Sequence, residues 1–291
     1  MIPQCRQLYA IIVHYQNLAQ TEQTICSLCR GSVVPDRIIV VDQNPTKKFQ
    51  HKSDTCPVLV IRPQKNSGYA AGINLGLGAA YGGGIKPEDI VLCMNDDVSV
   101  LPDALERMMA WWKNNSVDAL VGAAITESGQ TIAAGGKINY LTGRTRFNTD
   151  TPARLDYIHG AFFAAPFRLF IAVKGLPENY FLYWEDVLFS RLVKQKGYPL
   201  KYLPQMKVTH HTLSCGDKST TATYYLVRNG ALFMQTHTPW PINWIWRCLN
   251  LARLLFHYSL QGSSNPVTKA LKDAARGKTG PIKKLNEKLP N

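Results

Sequence analysis

Asn95, Asp96 and Asp97 end an apolar run, Val91-Leu92-Cys93-Met94, with a carboxamide and two carboxylates. Acidic groups at the C-terminal end of a buried strand stand where an open α/β sheet receives its ligand. They are costly there unless a cation or a partner neutralises them. Oxygen donors of this kind suit Mg²⁺ or Mn²⁺ held jointly with the phosphates of a substrate. Asp97 is the strongest ligand candidate, Asn95 a weaker one, and Asp96 can point either way. The segment predicts a metal–diphosphate site.

A second acidic pair, Glu185-Asp186, lies between Tyr180-Phe181-Leu182-Tyr183-Trp184 and Val187-Leu188-Phe189. Partial desolvation there raises carboxyl pKa values and suits one of the two to general-base work. Both residues are equally suited to start the helix that follows. Between residues 66 and 76, Gly68, Gly72 and Gly76 penalise a helix, which points to close backbone approach. A helix N-terminus there favours phosphate; tight helix–sheet packing is the competing explanation. The spacing fits neither a Walker loop nor Gly-x-Gly-x-x-Gly. Asp42, at a strand end, can accept from a ribose or a base N–H, or serve its turn. One of His210 and His211 can supply a third metal ligand as a neutral imidazole. Tyr224-Tyr225 with Arg228-Asn229 form an aromatic and cationic cluster suited to a diphosphate.

These groups need elements to hold them. Leu8–His14, Arg37–Val41, Val58–Arg62 and Ile90–Met94 read as strands, with helices over Thr21–Cys29, Gly68–Ala80 and Pro102–Lys113. That alternation predicts a mostly parallel sheet wound by crossover helices. Further on, Ile158–Ala165 reads as a buried strand, Val187–Lys196 as a helix, and Leu200–Leu203 and Lys207–Thr209 as two short strands. No linker is evident before about Pro239, which predicts one domain over residues 1–238 and a C-terminal segment over 239–291.

The 291-residue chain carries 33 Lys+Arg against 20 Asp+Glu, a net charge of +13 that favours an anionic partner. Seven cysteines without framework spacing read as reduced thiols of a cytosolic protein, Cys26-x-x-Cys29 included. Met1 to Leu8 shows no signal-peptide pattern, and no apolar run is long enough to span a bilayer. In the C-terminal segment, Trp244, Ile245, Cys248, Leu249, Ala252, Leu255 and Phe256 share one helical face, while Arg247, Asn250, Arg253 and His257 share the other. Lys269, Lys272, Arg276, Lys278, Lys283, Lys284 and Lys288 follow, against Asp273 and Glu287. An amphipathic, Trp-bearing helix with a basic tail suits an anionic membrane surface, the alternative being a helix packed on the main domain.

In order along the chain, Ile11-Ile12-Val13-His14-Tyr15, Ile39-Val40-Val41-Asp42, Asn66-x-Gly68-Tyr69-x-x-Gly72-x-Asn74, Asn95-x-Asp97, Gly160-Ala161, Trp184-Glu185-Asp186, Val208-x-His210 and Tyr225-x-x-Arg228-Asn229 resemble the family 2 glycosyltransferases. The likeness spans about residues 8–235 and is nearest to the bacterial rhamnosyltransferase-like branch that assembles surface polysaccharides. It implies an α/β GT-A fold, with a Rossmann-like, mostly parallel central sheet and flanking helices, plus the C-terminal amphipathic helical segment. Val13 and Asp42 would lie against the nucleotide, with Tyr15, Asn66, Gly68, Gly72, Asn74, Asp96 and Arg228 completing the donor site. Asn95 and Asp97 stand at the family's DxD positions and His210 at a position that completes the Mg²⁺ or Mn²⁺ site. Asp186 stands where the family keeps its base, with Glu185 beside it, and Trp184, Gly160 and His159 would meet the acceptor.

The resemblance implies inverting transfer to a lipid-linked saccharide in O-antigen or capsule synthesis, by a cytoplasmic enzyme peripheral on the inner face of the membrane. L-Rhamnose from dTDP-rhamnose is the first donor to consider, UDP-hexose or UDP-galactofuranose the second. Asn95 departs from the usual first Asp, and Gln16 from the usual Asn. A nucleotidyl-transferring pyrophosphorylase needs a glycine-rich basic loop where His14-Tyr15-Gln16-Asn17-Leu18 stands. A nucleic-acid-binding module would explain the charge but not two acidic clusters.

Overall fold

The computed structural model describes residues 6–51, 56–127, 129–133, 135–147, 154–211, 219–262 and 265–282. The first five residues and the basic tail residues Lys283, Lys284 and Lys288, with Glu287, lie outside the described residues. The N-terminal half alternates strand and helix: β1 (Leu8–His14), α1 (Leu18–Cys29), β2 (Arg37–Asp42), β3 (Val58–Ile61), α2 (Tyr69–Gly82) and β4 (Ile90–Asn95). β1 is buried along its whole length and β4 up to Asn95. Their runs are therefore apolar without alternation, as a sheet covered on both faces requires.

β1 pairs in parallel with β2 on one side and β4 on the other, setting Val13 against Val41 and against Asn95. Strand order runs β3-β2-β1-β4, so connections leave β1 in opposite directions at its two edges. The carboxyl ends of β1 and β4 therefore flank a switch-point crevice, where doubly wound sheets hold ligands. Ile12, Val40 and Leu92 pack under α1, whereas Ile11, Ile39 and Cys93 pack under α2.

The sheet continues through β5 (Val98–Val100), α3 (Ala104–Asn114), β6 (Leu120–Glu127) and β7 (Gln130–Ala133). Next come a hairpin, β8 (Gly136–Asn139) with β9 (Arg144–Phe147), then β10 (Phe162–Pro166), α4 (Phe167–Val173), α5 (Glu185–Gln195) and β11 (Leu200–His210). β10 lies antiparallel between β4 and β6. The two short strands anticipated after residue 200 are one, β11, because a register shift between Leu203 and Lys207 absorbs the interruption at Pro204. β6, apolar but for Gly122, Thr126 and Glu127, was not anticipated as a strand; Gly122 is there because Ile158 presses on that position.

α6 (Thr220–Thr236), α7 (Ile242–Gln261) and α8 (Pro266–Ala275) form a helical layer. α8 is bound to α6 by Tyr224 Oη donating to Asp273 (2.9 Å) and Gln235 donating to the Ala274 carbonyl (2.7 Å). The boundary expected near Pro239 thus falls in the turn between α6 and α7, while all three helices share contacts. α7 packs inward through Trp246 and Asn250, both buried, with Leu254 partly covered. Trp244, Ile245, Leu249, Leu255 and Phe256 face outward and are exposed. No described helix is long and apolar enough to cross a membrane. One thiol expectation is corrected: Cys29, at the end of α1, is disulfide-bonded to Cys56 ahead of β3, while Cys26, Cys93 and Cys248 are free.

Candidate active site

β4 ends at Asn95, and Asp96 and Asp97 form the turn that follows it. Asp97 turns toward His210, whereas Asp96 turns toward His14 and Tyr15. His210, the last residue of β11, brings its Nε2 to 3.3 Å from Asn95 Nδ2 and 3.4 Å from Asp97 Oδ1. The backbone fixes this meeting, since β11 pairs with β5 directly after the tip and His211 N donates to the Asp97 carbonyl (3.0 Å). Burial holds the His210 imidazole below its usual pKa, against the opposing pull of Asp97. It is neutral near pH 7 and keeps a lone pair for a cation. His211 is turned to Ser99 (2.7 Å), which makes His210 the histidine of the acidic site.

Asp97, Asn95 and His210 offer a carboxylate, a carboxamide oxygen and an imidazole, a donor set that fits Mn²⁺ or Mg²⁺. Among the described residues no three His, Cys, Asp or Glu side chains form a complete metal cage. A cation held there would take its remaining ligands from a diphosphate and water, as such cations commonly do at phosphate sites.

The second acidic pair is linked to the first through the backbone of two consecutive residues, Gly160 and Ala161. Asn95 N donates to the Ala161 carbonyl (3.0 Å), and Gly160 N donates to Asp186 Oδ2 (2.8 Å). Tyr69 Oη donates to the Gly160 carbonyl (2.7 Å) from the first turn of α2. Asp186 also accepts from Val187 N (2.8 Å) at the start of α5. A Cβ at residue 160 would crowd Asp186, so glycine is what lets the two backbones meet. Burial raises the Asp186 carboxyl above the usual carboxylate range, and the amides of Gly160 and Val187 restrain the rise. Glu185 is raised too, first by burial and then by the Asp186 charge, and its Oε2 has no partner. Both acids lie in the first turn of α5, two residues earlier than the helix anticipated at Val187. They are helix-starting residues and site residues at once. His159 is pressed down to about 3 by burial and by His210, so it stays neutral, with ring centroids 6.3 Å apart.

Other anticipated residues have different neighbours. Asp96 accepts from Tyr15 N (3.2 Å), approaches His14 Nδ1 (3.2 Å), and so pins the turn between β1 and α1. Asp42 accepts from Asn44 N, Phe49 N and Arg62 Nε, which places it at the head of its own loop. Val13 is buried beneath Gly72, and Tyr15 is exposed at the crevice. Six further anticipated residues spend their contacts within the protein. Gly68 and Gly72 make room for the Phe181 backbone and for Val13 and Gln43, which favours packing over phosphate approach. Asn66 turns its Oδ1 to Gly68 N, and Asn74 spends both ends on Leu176 and Glu178. Trp184 packs its ring on Phe233 (5.2 Å) and is 6% exposed, so it offers no open face to a sugar. Arg228 is 1% exposed and donates to the Tyr180 and Gly280 carbonyls and to Asn229, so its guanidinium is directed into the protein and not into the crevice.

The Arg228-Asn229 pair instead braces the loop before the acids. Asn229 Nδ2 donates to the carbonyls of Tyr180, Leu182 and Tyr183, in a loop where Phe181, Tyr183 and Trp184 all have positive φ. Such backbone is held only by dense bonding around it. Sequence reasoning also missed Tyr69 and Gln43. Gln43 accepts from Ser67 N and donates to the Gly68 carbonyl, tying β2 to α2; only its place after a strand end hinted at this.

Residues 9–173 match the family described as Glycosyl transferase family 2. No curated protein matches the sequence. Among solved structures the chain is similar to S. aureus TarS (14% identity, TM-score 0.54, covering 89% of this chain and 45% of that one). It is similar to GalNAc-T7 with UDP, GalNAc and Mn²⁺ (14%, 0.59, 81% and 52%). It is also similar to the mannosyltransferase PcManGT from Pyrobaculum calidifontis with GDP-Man and Mn²⁺ (13%, 0.53, 94% and 87%). The chain spans about half the length of the first two. At these identities the likeness is one of fold, and the fold is GT-A.

Proposed function

The chain belongs to Glycosyl transferase family 2, and from that premise we propose that it moves a sugar from a nucleoside-diphosphate donor to an acceptor hydroxyl with inversion. One observation carries the reading. The Asn95–Asp97–His210 cluster and Asp186 are joined through the backbone of the consecutive residues Ala161 and Gly160.

Asp186 takes the proton from the acceptor hydroxyl. The freed oxygen forms its bond to the anomeric carbon as the bond to the diphosphate oxygen breaks on the opposite face, so one displacement inverts the centre. Asn95, Asp97 and His210 would hold the divalent cation, which when bound supplies charge neutralisation for the departing diphosphate. Val13, Tyr15 and Asp42 line the nucleotide end, and His159 with Gly160 lines the acceptor end. Glu185, protonated at neutral pH, keeps a second negative charge away from the base.

The ordered motifs favour dTDP-rhamnose as donor and a lipid-linked saccharide of O-antigen or capsule type as acceptor, met at the inner face of the cell membrane. A UDP-hexose or UDP-galactofuranose is the second choice, because sugar identity rests on a few pocket contacts. The test is nucleotide release from a panel of donors with a synthetic lipid-linked acceptor, with Mn²⁺ or with a chelator. Release that requires both acceptor and cation supports the reading. No release from any donor, together with thermal stabilisation by single-stranded DNA alone, would replace it with a nucleic-acid-binding role.

A further inference from the structure

α7 turns its greasy side the wrong way for a packed helix. Nine of the nineteen large apolar side chains exposed among the described residues fall between Trp240 and Leu260. Trp244 is 62% exposed, Leu255 64% and Phe256 61%. Around a helix with about 100° between residues these side chains cover about half the circumference. Arg247 and Arg253 stand at the two margins of that arc, and both are exposed. Between Lys218 and Lys272 the sequence has six Lys or Arg and no Asp or Glu. Arg144, on β9, lies close enough to oppose the Arg253 charge, and neither forms an ion pair among the described residues.

We propose that the outward face of α7 docks on an anionic phospholipid bilayer, its apolar side chains entering the acyl boundary and Arg144, Arg247 and Arg253 meeting the head groups. Charge decides between this occupant and a second copy of the chain. Two copies meeting through this face would set basic margin against basic margin, whereas a bilayer supplies the missing anions. The exposed Trp240, Trp244 and Tyr258 are the residue types that settle at a water–lipid boundary. The helix lies on the surface, since no described helix is suited to crossing it.

The β8–β9 hairpin ties this face to the reaction site. Trp246 Nε1 donates to the Tyr140 carbonyl (2.9 Å) at one end, and the Phe147 ring meets His159 (4.9 Å) at the other. Leu141, in the hairpin turn, is 89% exposed and extends the apolar face. Docking therefore puts the acceptor end of the crevice toward the bilayer; this orientation alone rests on the transferase reading.

Flotation of the full chain with phosphatidylcholine vesicles, with and without phosphatidylglycerol, tests the inference. The protein should float with the anionic vesicles, and added salt should release it. Leu255→Glu with Phe256→Glu should lower partitioning at least tenfold. Arg253→Gln, which gives up one long bond to Asn250 (3.4 Å) and otherwise leaves an exposed site, should lower it about five-fold, as expected for one cation near a charged surface. Far-UV circular dichroism checks that the double variant folds, and Arg253→Gln serves if it does not. Wild-type protein that floats with neither vesicle overturns the proposal. So does a lipid-free dimer, seen by light scattering, that the double variant dissolves while flotation stays absent. Stabilisation by a nucleoside diphosphate with Mn²⁺ is read separately. Its loss would sink the transferase reading and leave the docking surface standing.

Discussion

A carboxyl group works as a base only while ionised, and Asp186 holds its proton more tightly than an ordinary aspartate because it is buried. Turnover should therefore fall as pH drops through a value above the usual carboxylate range of about 4. The acid limb of kcat at saturating donor measures this; a limb at the ordinary value would remove burial as its cause. Asp186→Asn keeps the shape but cannot accept a proton. It should lower kcat by about 10²–10⁴-fold while stabilisation by nucleoside diphosphate and Mn²⁺ persists. Glu185 is raised further and is already protonated near neutrality. Glu185→Gln should accordingly leave both the acid limb and the melting temperature nearly unchanged. At this scale the sequence marked the acidic groups that the fold brings near one another, Asp97 beside His210 and Asp186 beside Gly160. It was silent where a polar side chain braces a distant stretch of backbone, as with Asn74 and Arg228, because hydrogen-bond partners 102 and 52 residues away leave no local mark.

The strands that present the site were legible because burial on both faces makes them unbroken apolar runs: β1 begins and ends where the pattern does. β6 and the β8–β9 hairpin were not, since their glycines answer to Ile158 and Tyr157, residues that only the fold brings near. The glycines of α2 have the same origin, so Gly72→Ala should force Val13 and Gln43 aside and cost about 1–3 kcal/mol by chemical denaturation. An unchanged midpoint would show that the crevice, and not packing, sets that residue. Asn229 offers a sharper test of the loop before α5. Removing its amide strips three carbonyls of a donor, and Asn229→Ala should lower both the melting temperature and kcat, with the donor KM less affected. Equal losses in kcat and in donor affinity would mean that the loop serves the nucleotide instead.

Over the whole chain, the charge excess and the amphipathic C-terminal pattern could be read directly, but the direction in which α7 faces could not. Periodicity locates a stripe and does not say whether protein covers it. Cysteine spacing was equally silent about the link between Cys29 and Cys56, separated by 27 residues. Closing a loop of that size is worth about 3–4 kcal/mol in the chain-entropy picture. Cys56→Ser should thus lower stability, and thiol labelling after non-reducing denaturation should leave these two cysteines unmodified; full labelling would return the chain to the reduced state its sequence suggested.

The link from the Asn95 backbone to the carboxylate of Asp186 has one more result. Under the proposed transfer, a strand end and the backbone of Ala161 and Gly160 would set the separation between leaving group and base, with no long flexible side chain in that link. That stiff gauge can admit different sugars more easily than different attacking positions on one sugar. Regiochemistry should accordingly be stricter than acceptor identity, with linkage analysis of products from varied acceptors finding one carbon position throughout.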